Sequence, residues 1–150
     1  MLAKKNWQSE LEFVDGTGGF GAGVVDQLRV AGLTPQEIHF SGKPIDPMFF
    51  NKRSEMIYNM AQWVKNGGAL VYDEKLITEL TTPTYTFHNG KIRVEEKEQI
   101  RKRLGFSPDR ADALALTFAL PDMPGKLMDS HKLYKGSPKS KTQWDPLRRK

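Results

Sequence analysis

The sequence predicts an α/β domain with a mixed central sheet flanked by helices. Short apolar runs that are typical of strands alternate with helical patterns in the first half of the chain. Two alternating runs joined by Asn89-Gly90 then predict a β-hairpin, since this dipeptide favours a tight hairpin turn. More helical patterns follow the hairpin. This order of elements is typical of mixed α/β domains.

Each predicted strand is short and ends at a turn signal. The turn of residues 16–19, which contains three glycines, follows the first strand, and a loop with Pro44 and Pro47 follows the second, where proline excludes regular structure. The predicted strands are residues 10–14, residues 37–41 and the two arms of the hairpin in residues 84–96.

The predicted helices have recognisable start and stop signals. Gly67-Gly68 ends the strongest helical pattern, in which Met56, Met60, Trp63 and Val64 line one side. We expect its methionines and aromatic residues in the core. Ser107 is the expected cap of the last helix, with Pro108 at its first position. The predicted helices span residues 19–31, 51–68, 73–80, 96–104 and 107–119.

The composition excludes several classes of protein. The chain has 150 residues, enough for one domain with its own core, and it contains no cysteine. Disulfides, thiolate metal sites and cysteine nucleophiles are therefore excluded. We expect no membrane span and no secretory signal, because no sufficiently long apolar run occurs. These features fit a cytoplasmic protein.

The positive charge is concentrated at the C-terminus. Residues 126–150 contain eight of the 23 basic residues against two acidic ones, within a net charge of +5. We therefore expect a globular unit over residues 1–125 and a basic, flexible tail over residues 126–150. Such a tail is either a solvated segment or a binding segment for a polyanion or an acidic protein.

Asp15 directly precedes a glycine-rich turn, and three interpretations are open. Gly16, Gly18 and Gly21 match the dinucleotide fingerprint, but the second strand ends in Ser41-Gly42-Lys43 without the acid that binds the ribose. An Asp can also simply begin a turn. Alternatively, Asp15 binds Mg²⁺ or Mn²⁺ at a strand end, and the metal attracts phosphate despite the carboxylate.

Asp109 and Asp112 share one face of the last predicted helix, since they are three residues apart. An Asp in the first turn is favoured by the helix dipole alone, whereas Asp112 is a poor helix former in a tightly packed, alanine-rich stretch. Clustered carboxylates repel unless a cation lies between them. A metal site explains all three acids, and two-metal hydrolysis of phosphodiesters uses such a set.

Three segments resemble the C-terminal nuclease domain of the large terminase subunit of tailed bacteriophages. They are VDGTGGFGAGVVDQL, FFNKRSEMIYNMAQWVKNGGAL and GKIRVEEKEQIRKRLGFSPDRADALALTFALP. The resemblance holds in order and spacing over roughly residues 10–121, and SPDRADAL is its most specific motif.

The resemblance implies an RNase H-like fold and a nuclease that cuts concatemeric DNA with Mg²⁺ or Mn²⁺ during genome packaging. It places the second acid of the family at Asp15 and the last metal ligand at Asp109, with Asp112 as ligand or supporting group. The implied partners are double-stranded DNA, the portal protein and the small terminase subunit. The implied location is the cytoplasm of the bacterial host, with a transient stay at the portal vertex of the procapsid.

The family pattern also has parts that these residues do not supply. The first acid lies on an earlier strand in the family, and no G-x-x-x-x-G-K-[ST] nucleotide site occurs here. We therefore expect a terminal part of a terminase that lacks its first strand, with an incomplete metal site and little activity alone. A non-catalytic docking or DNA-binding remnant and an NAD(P)-binding domain are the alternatives.

Other charged residues have competing interpretations. The three histidines, His39, His88 and His131, are scattered and are expected to be structural. Lys43, Lys52 and Arg53 either contact phosphates or are solvated, and we favour the second. The basic residues of the hairpin and the next helix either contact DNA or pair with interleaved glutamates.

Overall fold

The computed structural model describes residues 11–19 and 21–121, and the α/β class is confirmed. The tail over residues 126–150 and His131 lie outside the described residues. The strands are β1 (Phe13–Asp15), β2 (Gln36–Ile38), β3 (Tyr85–His88) and β4 (Lys91–Val94). The helices are α1 (Ala22–Val30), α2 (Lys52–Lys65), α3 (Glu74–Thr81), α4 (Lys97–Leu104) and α5 (Asp109–Leu116), and a short 3₁₀ turn covers Thr17–Gly19.

The strands of the described residues form two small sheets of two strands each. β1 and β2 pair in parallel, with Asp15 opposite Ile38, and β3 and β4 form the predicted antiparallel hairpin. Asn89 and Gly90 both have positive φ, as this hairpin turn requires. Among the described residues, an isolated bridge between Phe49 and Ile92 connects the hairpin to the loop before α2.

The main core lies between α2, α5 and the loop after β2. Met56 and Met60 are buried as predicted, together with Phe40, Ala115 and Ala119, whereas Trp63 and Val64 on the same side are 37% and 40% exposed. Ala115 lies on α5 and Ala119 just after it, and their small side chains let this segment approach α2 closely. This packing fixes the position of α5, the helix that carries Asp109 and Asp112.

The start of α5 differs from the prediction. Pro108, not Ser107, is the residue before the helix, and no side chain of the N-cap residue bonds the helix backbone. The Ser107 hydroxyl instead donates to Asp109 Oδ1 at 2.6 Å. The preceding helix ends as predicted, since Gly105 adopts a left-handed φ of 77°. Among the described helices, none is long and apolar enough to cross a membrane.

Candidate active site

Asp15 lies at the carboxyl end of β1 and has a local bonding partner. Its Oδ1 accepts a hydrogen bond from the backbone N–H of Thr17 at 2.9 Å. The Thr17 hydroxyl in turn accepts from the N–H of Phe40 at 3.0 Å, which ties the turn to the segment after β2. Asp15 therefore begins a turn, as one of the interpretations expected.

The glycines beside Asp15 are explained largely by contacts within the chain. A Cβ at Gly21 would overlap the carbonyl oxygen of Asp15, and a Cβ at Gly16 would overlap the side chain of Glu37. Gly18 and Gly19 have positive φ values of 73° and 81°, which side chains rarely tolerate. All three fingerprint glycines, Gly16, Gly18 and Gly21, are thus accounted for without a dinucleotide.

Asp109 and Asp112 share one cation, the ammonium group of Lys97 at the start of α4. Lys97 Nζ lies 3.0 Å from Asp109 Oδ1 and 2.9 Å from Asp112 Oδ2. The two carboxylates differ in exposure, because the Asp109 side chain is 73% exposed and that of Asp112 only 8%. One carboxylate of the pair is therefore exposed to solvent and the other is buried. The Lys97 ammonium group lies between them.

Arg53 is a second cation beside Asp112. Its Nη2 lies 3.5 Å from Asp112 Oδ1, and its Nη1 donates to the backbone carbonyl of Glu95 at 2.5 Å. Both the Arg53 and the Asp112 side chains are buried. One guanidinium group thus connects the start of α2, the end of the hairpin and the buried acid of α5.

The electrostatics of the cluster agree with its geometry. The Ser107 hydroxyl and the Lys97 ammonium group lower the pKa of Asp109 below its ordinary value. Partial burial lowers the pKa of Lys97, but its bonds to Asp112 and Asp109 outweigh this effect and raise the pKa overall. Burial lowers the pKa of Arg53, and Asp112 opposes that shift. Each charge in the cluster is stabilised by an opposite one.

The structure brings together two of the three predicted site acids. Asp109 and Asp112 meet at Lys97, and β1, which ends in Asp15, packs against α5. Within residues 11–19 and 21–121, no three His, Cys, Asp or Glu side chains are grouped as a metal site. Joint metal binding by Asp15, Asp109 and Asp112 therefore stays a prediction.

Lys97 was not a predicted site residue, and the start of α2 differs from the prediction. Lys52 and Arg53 were expected to be solvated, but both are buried, and Lys52 pairs with Glu55 at 2.6 Å. The sequence indicates Lys97 only as one of the basic residues of the hairpin and the next helix. No sequence signal marks either cation of the site, because Arg53 and Asp112 are far apart along the chain and Lys97 lies on another helix.

The charged residues of the hairpin and α4, and two of the histidines, have neighbours within the chain. The hairpin and α4 are partly salt-bridged, with Arg93 on Glu96, Arg101 on Glu98 and Arg103 on Glu95. His88 packs edge-on against Phe50, and His39 lies 3.8 Å from Glu37. In the described part of the chain, neither histidine belongs to a group that could hold a metal ion.

The structure of this chain is similar to solved nuclease domains of a phage large terminase subunit. The nuclease domain of the large terminase subunit gp2 of bacterial virus Sf6 matches with a TM-score of 0.64 and 25% identity, over 81% of this chain and 70% of that one. A mutant of that domain with manganese matches with a TM-score of 0.63 and 26% identity, over 80% and 70%.

A mutant of gp2c from bacteriophage Sf6 with calcium gives a TM-score of 0.62 at 25% identity, over 80% of this chain and 69% of that one. No protein-family model and no curated protein sequence matches the chain. The chain has the fold of a terminase nuclease domain, of RNase H-like type, so the resemblance indicated by its motifs is confirmed. This similarity supports the role of a nuclease domain that acts on DNA.

Proposed function

We propose that this chain is a metal-dependent endonuclease domain that cuts concatemeric phage DNA during genome packaging. The observation that carries the proposal is the Asp109–Asp112 pair around one cation, in a fold similar to terminase nuclease domains. One of the similar structures contains manganese and another contains calcium.

The chemistry of the carboxylate pair fits a divalent cation. Both residues offer hard oxygen donors, which Mg²⁺ and Mn²⁺ prefer. The fold already holds a positive charge between them in the form of the Lys97 ammonium group. When bound, a divalent cation supplies the charge that activates water and stabilises the leaving oxygen of a phosphodiester.

The residues of the chain have separate roles in this proposal. Asp109 and Asp112 hold the cation, and Arg53 fixes the buried carboxylate of Asp112. Lys97 neutralises the pair when no divalent cation is bound, and it is free to contact a DNA phosphate when displaced. Asp15, on the strand beside α5, is proposed as a further ligand.

The proposed partners are double-stranded DNA, the portal protein and the small terminase subunit. The chain would act in the cytoplasm of the bacterial host and transiently at the portal vertex of the procapsid. Residues 1–125 would form the nuclease unit, and the basic residues 126–150 would dock on the portal protein or on DNA.

A non-catalytic DNA-binding remnant is the second candidate. The observation that favours it is the absence, in the described ranges, of three acids gathered for a metal. Each of the three predicted site acids there also has a partner within the chain.

Cleavage of plasmid DNA with Mn²⁺ distinguishes the two candidates. Because the metal site is expected to be incomplete, we expect only weak Mn²⁺-dependent nicking by this chain, which falls at least tenfold in Asp112→Asn and less in Asp109→Asn and Asp15→Asn. Asp26→Asn is the matched control, because Asp26 is an exposed acid on α1 whose ion-pair partner among the described residues is Arg29. DNA binding without any Mn²⁺-dependent cleavage would favour the remnant and contradict the endonuclease.

A further inference from the structure

Glu79 on α3 is a fully buried acid in contact with α5. The residue is 0% exposed, and its Oε2 accepts a hydrogen bond from the backbone N–H of Ala111 at 2.9 Å. Its second oxygen, Oε1, is buried and has no hydrogen-bond partner among the described residues. Ala111 lies directly before Asp112, so this contact reaches the backbone of the candidate site.

The fold alone does not require an acid at this position. Burying a carboxyl group with one oxygen unbonded costs free energy, and an apolar side chain of similar volume is often as stable or more stable. A buried polar group of this kind therefore needs an explanation. Its partner supplies one, because the first N–H groups of a helix lack acceptors inside the helix.

The first turn of α5 has an unusual need for an external acceptor. The residue before the helix is Pro108, whose side chain can bond no N–H group. The Ser107 hydroxyl bonds Asp109 and not the helix backbone. Glu79 thus supplies, from another helix, an acceptor that the helix start lacks.

A second acid of the same segment holds the neighbouring residue of α5. Asp73, the N-cap of α3, accepts from the N–H of Leu76 at 3.1 Å and pairs through its other oxygen with Arg110. Two acids of this segment therefore contact residues 110 and 111, which lie between Asp109 and Asp112.

We propose that Glu79 is a positioning residue, which orients the first turn of α5 so that Asp109 and Asp112 face one cation. This inference rests on the proposed function, because it assigns a purpose to the orientation of the pair. Glu79 contacts neither the cation nor DNA in this account. Its effect passes only through the backbone of Ala111.

Two substitutions separate positioning from structural support. Glu79→Gln keeps a side-chain oxygen for the Ala111 N–H, whereas Glu79→Met keeps the volume and removes the acceptor. Glu74→Met is the matched control, since Glu74 lies on the same helix and is exposed. Each variant of the full chain is measured for its Tm, for the amide signal of Ala111 by NMR and for Mn²⁺ affinity by calorimetry.

We expect Glu79→Met to lower Mn²⁺ affinity about tenfold, as loss of supporting contacts around metal ligands does. Its Tm should fall modestly, because the buried Ala111 N–H loses its acceptor, and the Ala111 amide signal should move upfield. Glu79→Gln should stay within about twofold of the unmodified affinity, as should Glu74→Met. A purely structural role would lower the Tm in the same way but leave the affinity unchanged.

The outcomes distinguish this inference from the proposed function. Unchanged Mn²⁺ affinity in Glu79→Met would overturn the positioning role and leave the endonuclease proposal intact. If the unmodified chain binds no Mn²⁺, the proposed function fails and the purpose assigned to Glu79 fails with it. If the Ala111 amide signal is the same in Glu79→Met and in the unmodified chain, Glu79 does not hold the Ala111 N–H. This result alone would overturn the inference.

Discussion

The acid at the end of β1 and the buried acid of α5 obtain their partners in different ways. Asp15 bonds the N–H of Thr17, two residues further along the chain. Asp112 depends on Arg53 and Lys97, which come from the starts of two other helices. The first arrangement forms with a local turn, whereas the second requires the folded domain. The carboxylate on α5 is therefore the one whose geometry the tertiary structure controls.

The largest expected effect is the loss of the buried cation beside Asp112. Arg53→Met should lower the free energy of unfolding by about 3 kcal/mol, because removing one partner of a buried pair leaves the other charge uncompensated. Urea denaturation measures this change. Arg29→Met, on the exposed pair with Asp26, should cost no more than about 1 kcal/mol. Equal losses of unfolding free energy in Arg53→Met and Arg29→Met would contradict the expectation that partners brought together by the tertiary structure contribute more than local ones.

A smaller effect is expected at the shared cation. Lys97→Met removes the charge between Asp109 and Asp112, so the two carboxylates repel each other. The Lys97 side chain is 36% exposed, and solvent screening should limit the loss to about 1 kcal/mol. Thermal unfolding with and without Mn²⁺ tests the exchange of cations. Mn²⁺ should raise the Tm of Lys97→Met more than that of the unmodified chain, and a smaller or equal rise would count against a cation site.

The smallest effect concerns pH. Ser107 and Lys97 lower the pKa of Asp109, so their bonds stabilise the fold above the ordinary carboxyl pKa of about 3.9. This contribution is lost as the pH falls through the lowered pKa of the folded state. Asp109→Asn should reduce the acid-dependent part of the stability by less than about 1 kcal/mol, since Asp109 is largely exposed. Stability measured from pH 6 to pH 2 would contradict this assignment if Asp109→Asn increased the acid dependence.

The helices, the strands and the three candidate acids could be predicted from the sequence because the residue patterns that indicate them are local. The Asn89-Gly90 turn, the left-handed Gly105 and the core positions Met56 and Met60 all depend on neighbouring residues or on helical spacing. The prediction that Ser107 caps α5 was wrong for a physical reason. Its hydroxyl bonds the nearby Asp109 carboxylate, and an ionised acceptor makes the stronger bond.

The roles of Arg53, Lys97 and Glu79 could not be predicted, because their partners are distant along the chain. An Arg-Lys-Ser-Glu composition at the start of α2 is typical of a solvated helix start, yet packing against β4 and α5 buries these side chains. Nothing near Glu79 in the sequence indicates that it bonds the backbone of Ala111. Such contacts are defined only when helices pack.

The most direct test of the carboxylate pair is the position of Mn²⁺ in crystals of the chain, located by its anomalous scattering. We expect Mn²⁺ to be bound by Asp109 and Asp112. The Lys97 ammonium group should be displaced from between them, and Arg53 should still contact Asp112. Crystals of Asp26→Asn should give the same result, and those of Asp112→Asn should show no Mn²⁺ on α5. Mn²⁺ bound elsewhere, with Lys97 still bridging the two carboxylates, would contradict a cation site at Asp109 and Asp112.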